Sequence, residues 1–95
     1  MDDVLDLLGL IYRARKMVLG DEILKRIRDV KLLVLADDIS EKSRERFEKK
    51  CRYYGIDIIG GYDGRQLSSA LGKSNVKAIG IIDDGFCRAL KEKMD

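Results

Sequence analysis

The chain has 95 residues, 45% of them hydrophobic and 38% charged, which supplies one core's worth of apolar material and argues against disorder. Nineteen Lys and Arg oppose seventeen Asp and Glu, so a formal charge of only +2 excludes a global basic field and leaves any nucleic-acid role to local clusters. With no histidine and two cysteines, the commonest neutral-pH general base, the Ser-His and Cys-His nucleophile pairs and the usual zinc ligand set are all missing.

Cys51 and Cys87 fit no C-x-x-C pattern and read as reduced core thiols. The apolar runs are too short to span a bilayer, and Met1-Asp2-Asp3 is acidic where a signal peptide would be basic, so a cytoplasmic protein without a membrane partner is expected. The whole chain, 1–95, reads as a single domain with no repeat or linker.

In chain order, Val4, Leu7, Leu8, Ile11 and Ala14 fall at i, i+3, i+4, i+7 spacing and predict a helix from residue 3 to about 15. Arg13, Arg15 and Lys16 then stand at its negative end, where they either satisfy the helix dipole or hold RNA phosphates. Met17-Val18-Leu19 reads as a very short strand. From Gly20 to about Arg28, Ile23, Leu24 and Ile27 mark a second, two-turn helix whose acidic start at Asp21 and Glu22 argues against simple phosphate cradling.

The nearly continuous apolar run from Val30 to Ala36 predicts a central strand covered on both faces. After Asp37-Asp38 a third helix runs to about Tyr54, with Phe47, Cys51 and Tyr54 inward and an outer face of alternating charge. Gly55 ends it, Ile56 to Ile59 forms a strand, and Gly60-Gly61 turns. Asp63 and Gln66 resemble a capping box that opens a short helix burying Leu67, Ala70 and Leu71. After the polar loop Gly72-Lys73-Ser74-Asn75, Val76 to Ile82 is the last strand, and Asp83-Asp84-Gly85 leads into a terminal helix with Phe86, Leu90 and Met94 inward. Helices and strands alternate throughout, which implies a small α/β sandwich with a mixed sheet of about four strands.

Asp37-Asp38 and Asp83-Asp84 each follow an apolar strand, where open α/β sheets place ligands. They could hold magnesium for a phosphoacceptor or small-ligand site, or simply cap the helices that follow, and capping is the preferred reading. Tyr53, Tyr54 and Tyr62 could stack on bases, yet no aromatic and basic residues interleave on a strand.

The order of Leu7-Leu8-Gly9-Leu10, Arg13-Ala14-Arg15-Lys16, Gly20-Asp21-Glu22, Lys31 to Asp38, Cys51-Arg52-Tyr53-Tyr54, Leu71-Gly72-Lys73 and Asp83-x-Gly85-Phe86 resembles that of bacterial YlxQ-like proteins, in the L-seven-Ae and L-thirty-e ribosomal protein superfamily. The resemblance implies a three-layer α/β/α sandwich that binds kink-turn RNA, a bent duplex with tandem sheared G·A pairs, and it implies neither catalysis nor a cofactor. In relatives a glycine, two polar residues and a lysine one turn later grip the guanine edges. Gly20 matches the glycine. Without a gap the following positions are Glu22, Ile23 and Arg26, and with one deletion they are Asp21, Glu22 and Lys25. The second RNA-facing element of relatives is the loop before the last strand, here Gly72 to Val76, with Val76 in the place of an apolar residue that packs on extruded bases.

The expected function is therefore a non-enzymatic RNA-binding protein, ribosome-associated or riboregulatory, that recognises structured RNA such as ribosomal RNA, with no DNA partner. Arg13, Arg15, Lys16 and Lys73 are assigned to phosphates, and Gly20, Asp21, Glu22 with Lys25 or Arg26 to base edges, with Ser74 and Val76 in the second loop. The alternatives are the magnesium-dependent site on the aspartates and a protein-interaction module that has lost RNA binding.

Overall fold

The computed structural model describes residues 2–94. Its elements are α1 (Asp3–Arg13), β1 (Met17–Leu19), α2 (Glu22–Lys25), a 3-10 turn (Ile27–Asp29), β2 (Leu32–Leu35), α3 (Glu41–Tyr54), β3 (Asp57–Ile59), α4 (Gly64–Leu71), β4 (Ala78–Ile81) and α5 (Asp84–Met94). The four strands form one mixed sheet in the order β1-β4-β2-β3, with β2 and β3 parallel and the other two pairings antiparallel.

Successive strand residues face opposite sides, and this alternation sorts the core into two layers. Leu32, Val34, Ile79 and Ile81 meet α1, α4 and α5 through Leu8, Ile11, Leu67 and Leu90. Leu33, Leu35, Val18 and Ala78 meet α2, the 3-10 turn and α3 through Ile23, Ile27, Phe47 and Cys51. The result is the expected three-layer α/β/α sandwich. Every residue of β2 is buried, as its unbroken apolar run requires. Gly80 of β4 has no side chain, and a Cβ there would lie 3.1–3.3 Å from Val18, Val30 and Ile23, so the glycine lets α2 settle close to the sheet.

Helix ends follow their side chains. The Asp2 carboxylate caps α1 by accepting from the Val4 and Leu5 N–H groups, and Asp63 and Gln66 complete the anticipated capping box of α4. Gly55 and Gly72 end α3 and α4 in the left-handed region. Gly9 lets α1 approach α4, because a Cβ there would fall 2.7 Å from the Ala70 carbonyl oxygen.

Several expectations are corrected. α1 stops at Arg13, Ala14 is its exposed C-cap, and Arg15 takes a left-handed φ of 60°. The single second helix is instead a four-residue α2 followed by the 3-10 turn, which lets Ile23, Ile27 and Val30 all reach the core. Ala70 is only half-buried, and Met94 is 38% exposed near the free end of α5.

The aspartate pairs do not act alike. Asp83 caps α5 by accepting from the Phe86 N–H. Ser40, not Asp37 or Asp38, caps α3, because two further residues separate the pair from the helix. Asp37 accepts from Gly61 N–H at 2.9 Å, and Asp38 accepts from Gly64 N–H at 2.7 Å. Since β2 and β4 are antiparallel, the two pairs lie at opposite ends of the sheet and form no joint site.

Both cysteines are free and buried, and burial pushes the Cys51 thiol up to about 11, which makes it an inert core group.

Candidate functional site

Antiparallel pairing of β1 with β4 and of β4 with β2 brings the end of β1, the end of β2 and the start of β4 to one edge of the sandwich. There Gly20 turns the chain with φ of 58°, and a Cβ would meet nothing within 4 Å, so the glycine serves the backbone angle and not close packing. Its N–H donates to the Ala78 carbonyl at 3.2 Å, which ties the turn to β4, and its own carbonyl accepts from Ile23 N–H.

The opposing loop, residues 72–77, is held by Ser68 of α4. The Ser68 hydroxyl accepts from Val76 N–H at 2.9 Å and its carbonyl from Lys73 N–H at 2.9 Å, while Asn75 takes a left-handed φ of 59°. Between the two lies an open cleft of about 570 Å³, lined by Gly20, Asp21, Ser40, Ser43, Lys73, Ser74, Asn75 and Lys77 and floored by Leu19, Ile39, Phe47, Val76 and Ala78. Gly20 and Lys73, 53 positions apart in the sequence, thus border one concavity.

Within α2 the side chains divide cleanly. Ile23 is fully buried, so it cannot touch a ligand without unfolding the helix. Asp21, Glu22 and Lys25 are exposed and stand at i, i+1 and i+4, with Lys25 a neighbour of both carboxylates. The Asp21 carboxylate makes no capping bond and its side chain is 85% exposed, with Arg46 of α3 at 3.5 Å. Arg26 turns to Asp29, pairing at 3.2 Å. Among the described residues Lys25 has no ion-pair partner. This face offers two acceptor carboxylates and a free ammonium, the groups that read amino and carbonyl edges of bases. A helix of one turn contributes little dipole of its own, so recognition here would rest on side chains.

On the loop, Lys77 Nζ pairs with Asp38 at 2.6 Å. That hydrogen bond, with the Gly64 N–H, holds the Asp38 carboxyl below its ordinary range. Lys73 is left as the loop's unpaired cation among the described residues, with Nζ 5.9 Å from the Tyr12 ring centre.

Two placements differ from what the sequence suggested. Val76 is 4% exposed and packs in the larger core cluster, so it offers no free platform for extruded bases. The cations before Gly20 do not line the cleft: Arg13 borders the α1–α4 groove with Arg65 and Gln66, and the Lys16 carbonyl accepts from Ile82 N–H at the opposite end of β1. Three strand residues put Lys16 about 10 Å or more from Gly20. Contacts that sequence reading missed are Ser68, which shapes the loop, and Arg46, which approaches Asp21; neither belongs to a local motif.

Over 94 residues the chain is 30% identical to RNA-binding protein YlxQ of Enterococcus faecium, covering 96% of the chain and 90% of that protein. It is 33% identical over 92 residues to RNA-binding protein YlxQ of Bacillus subtilis (strain 168), covering 94% of the chain and 92% of the relative. The chain belongs to the YlxQ family. No family model matches it.

A protein of unknown function from Bacillus halodurans shares the YlxQ-family fold seen here with a TM-score of 0.94 at 31% identity, covering 100% of the chain and 99% of that structure. A Giardia lamblia 15.5kD RNA binding protein superposes with a TM-score of 0.78 over 95% of the chain and 80% of its own, and at 18% identity this likeness concerns the fold alone. The residue order that suggested the YlxQ family from sequence is thereby supported over nearly the whole chain. Both curated relatives are named for binding and neither for a reaction, in agreement with a non-enzymatic protein.

Proposed function

We propose that this member of the YlxQ family binds RNA in the cytoplasm and recognises kink-turn-like structure through the cleft between the Gly20 turn and the 72–77 loop. The observation that carries the reading is the meeting of these two segments on one concave edge, with the exposed Asp21, Glu22 and Lys25 on one wall and Lys73 and Ser74 on the other. The names of its relatives support RNA as the partner. Lys25 donates to guanine O6 or N7, Glu22 and Asp21 accept from base amino groups, and Lys73 neutralises a phosphate. Arg13, Arg15 and Lys16 take no part in the cleft and serve, at most, outlying phosphates. The RNA is ribosomal or regulatory.

The test is a titration of a kink-turn RNA and a matched duplex lacking the sheared pairs, over several salt concentrations. The kink-turn RNA should bind at least tenfold tighter, and each neutralised phosphate should add about 0.9 to the log–log salt slope. Equal affinity for the two RNAs refutes the specific reading. The magnesium alternative is the weaker reading: Asp38 pairs with Lys77 and accepts from Gly64, Asp37 accepts from Gly61, Asp83 caps α5, and no cluster of three metal-ligating side chains occurs among the described residues.

A further inference from the structure

The outer face of α3 reads in sequence as alternating charge, but the helix sorts those charges. At about 100° per residue, Lys42, Arg46, Lys49 and Tyr53 fall within about 60° of one another, with Lys50 beside them. Glu41, Glu45 and Glu48 gather in a separate arc on one flank, with Arg52 among them. The stripe starts beside the cleft, where Arg46 Nη2 lies 3.5 Å from Asp21, and ends about 10 Å further along at Tyr53. Tyr53 is 81% exposed, the most exposed large hydrophobic side chain of the described residues. Its ring meets Tyr54 edge-to-face with centroids 4.9 Å apart, and Tyr54 is packed on the core, so the exposed ring is held in place. Lys49, Lys50, Arg52 and Tyr53 enclose a shallow hollow of about 380 Å³, and none of these three cations has an ion-pair partner among the described residues.

An aromatic face at the end of a cationic track is the arrangement that holds a single strand, stacking a base while the cations meet its phosphates. We infer that α3 carries a second RNA contact, in which Arg46, Lys49 and Lys50 guide a single-stranded RNA segment leaving the cleft and Tyr53 stacks on one of its bases. The inference rests on the reading of the cleft as an RNA site for its starting point, while the hollow itself depends only on α3. The charge pattern favours RNA over a protein partner, because beyond the Arg46–Asp21 pair at its start no carboxylate of α3 falls within the stripe, and its one large apolar group is a single ring.

Five RNAs separate the two sites: the kink-turn duplex and the matched duplex, each with and without a short uridine tail, and free oligouridine. For the wild type the tail should tighten binding about five- to tenfold on both duplexes, the scale of one stacked base with accompanying phosphate contacts. Tyr53→Ala and Lys49→Ala/Lys50→Ala should each erase most of that gain and weaken oligouridine binding, leaving the untailed kink-turn affinity unchanged. Tyr53→Phe should keep it. Exposure of these side chains means the melting temperatures should hold, which certifies the fold of each variant. A tail that adds nothing to wild-type binding, or a gain that survives Tyr53→Ala, overturns the inference and leaves a protein as the occupant of the hollow. Loss of discrimination between kink-turn and matched duplex, with the tail effect intact, instead overturns the cleft and spares α3.

Discussion

Replacing Ile23 with valine separates the two ways in which α2 could be matched to RNA-reading relatives. Ile23 is fully buried and its Cγ1 lies 3.3 Å from where a Gly80 Cβ would be. Removal of one methyl group there costs about 0.5–1.5 kcal/mol in a typical core. Valine keeps both γ carbons and lacks only the terminal Cδ1, so the loss from this fully buried site is expected within that range. For a domain of this size that is a fall in melting temperature of about 2–12 °C. RNA affinity, measured well below the melt, should stay within twofold, because the side chain faces the sheet. Glu22→Ala should do the reverse, leaving the melt nearly unmoved and weakening kink-turn binding about tenfold, within the range of a base-edge contact. Paired thermal melts and titrations read both effects. Should Ile23→Val weaken RNA binding without shifting the melt, the contact lies on Ile23 and the assignment to Asp21, Glu22 and Lys25 is wrong.

Three further outcomes follow from local geometry. Gly9→Ala places a Cβ 2.7 Å from the Ala70 backbone carbonyl, and overpacking of about 1–3 kcal/mol should outweigh a helix-propensity gain of about 1 kcal/mol, so the melting temperature should drop, and a rise would contradict the close α1–α4 approach. The Lys77 hydrogen bond holds the folded Asp38 carboxyl below its ordinary range, so its stabilisation is complete above the pKa of a free aspartate and is lost as the pH falls through the folded one. The wild type should therefore melt above Asp38→Asn at neutral pH and begin to lose that lead below about pH 4, and a constant gap in a melt-versus-pH series would refute the pairing. Magnesium should leave the melting temperature of the wild type and of Asp37→Asn equally unmoved, and a rise that Asp37→Asn abolishes would revive the metal reading.

Much of the fold was legible because its signals are local. The apolar run at Val30 to Ala36, the Phe47–Cys51–Tyr54 stripe, the Asp63–Gln66 box and the glycines at 55 and 72 each act within a few residues, and each appears in the structure at or near the expected place. The errors lie at boundaries and in strand direction. Ala14 failed as a core residue because α1 ended one residue before it, and the aspartate pairs were read as equivalent caps although two residues separate Asp38 from α3, while only the antiparallel pairing of β2 and β4 sends the pairs to opposite ends of the sheet.

The site shows the same division more sharply. Sequence alone determined which residue types were available: a glycine turn, acidic and basic groups behind it, and a polar loop before the last strand. Only tertiary structure decided which of them meet. Hydrogen bonding of Gly20 to Ala78 carries the first turn to the second loop, while three residues of extended strand carry Lys16 away from it, so neighbours in sequence part and distant residues converge. Likewise the sheet, by claiming Ile23, Phe47 and Cys51, fixes how α2 and α3 are rotated, and with that which charges look outward together. Side-chain chemistry is written residue by residue, but its grouping depends on strand pairing and on which face the core buries, and those are properties of the whole chain.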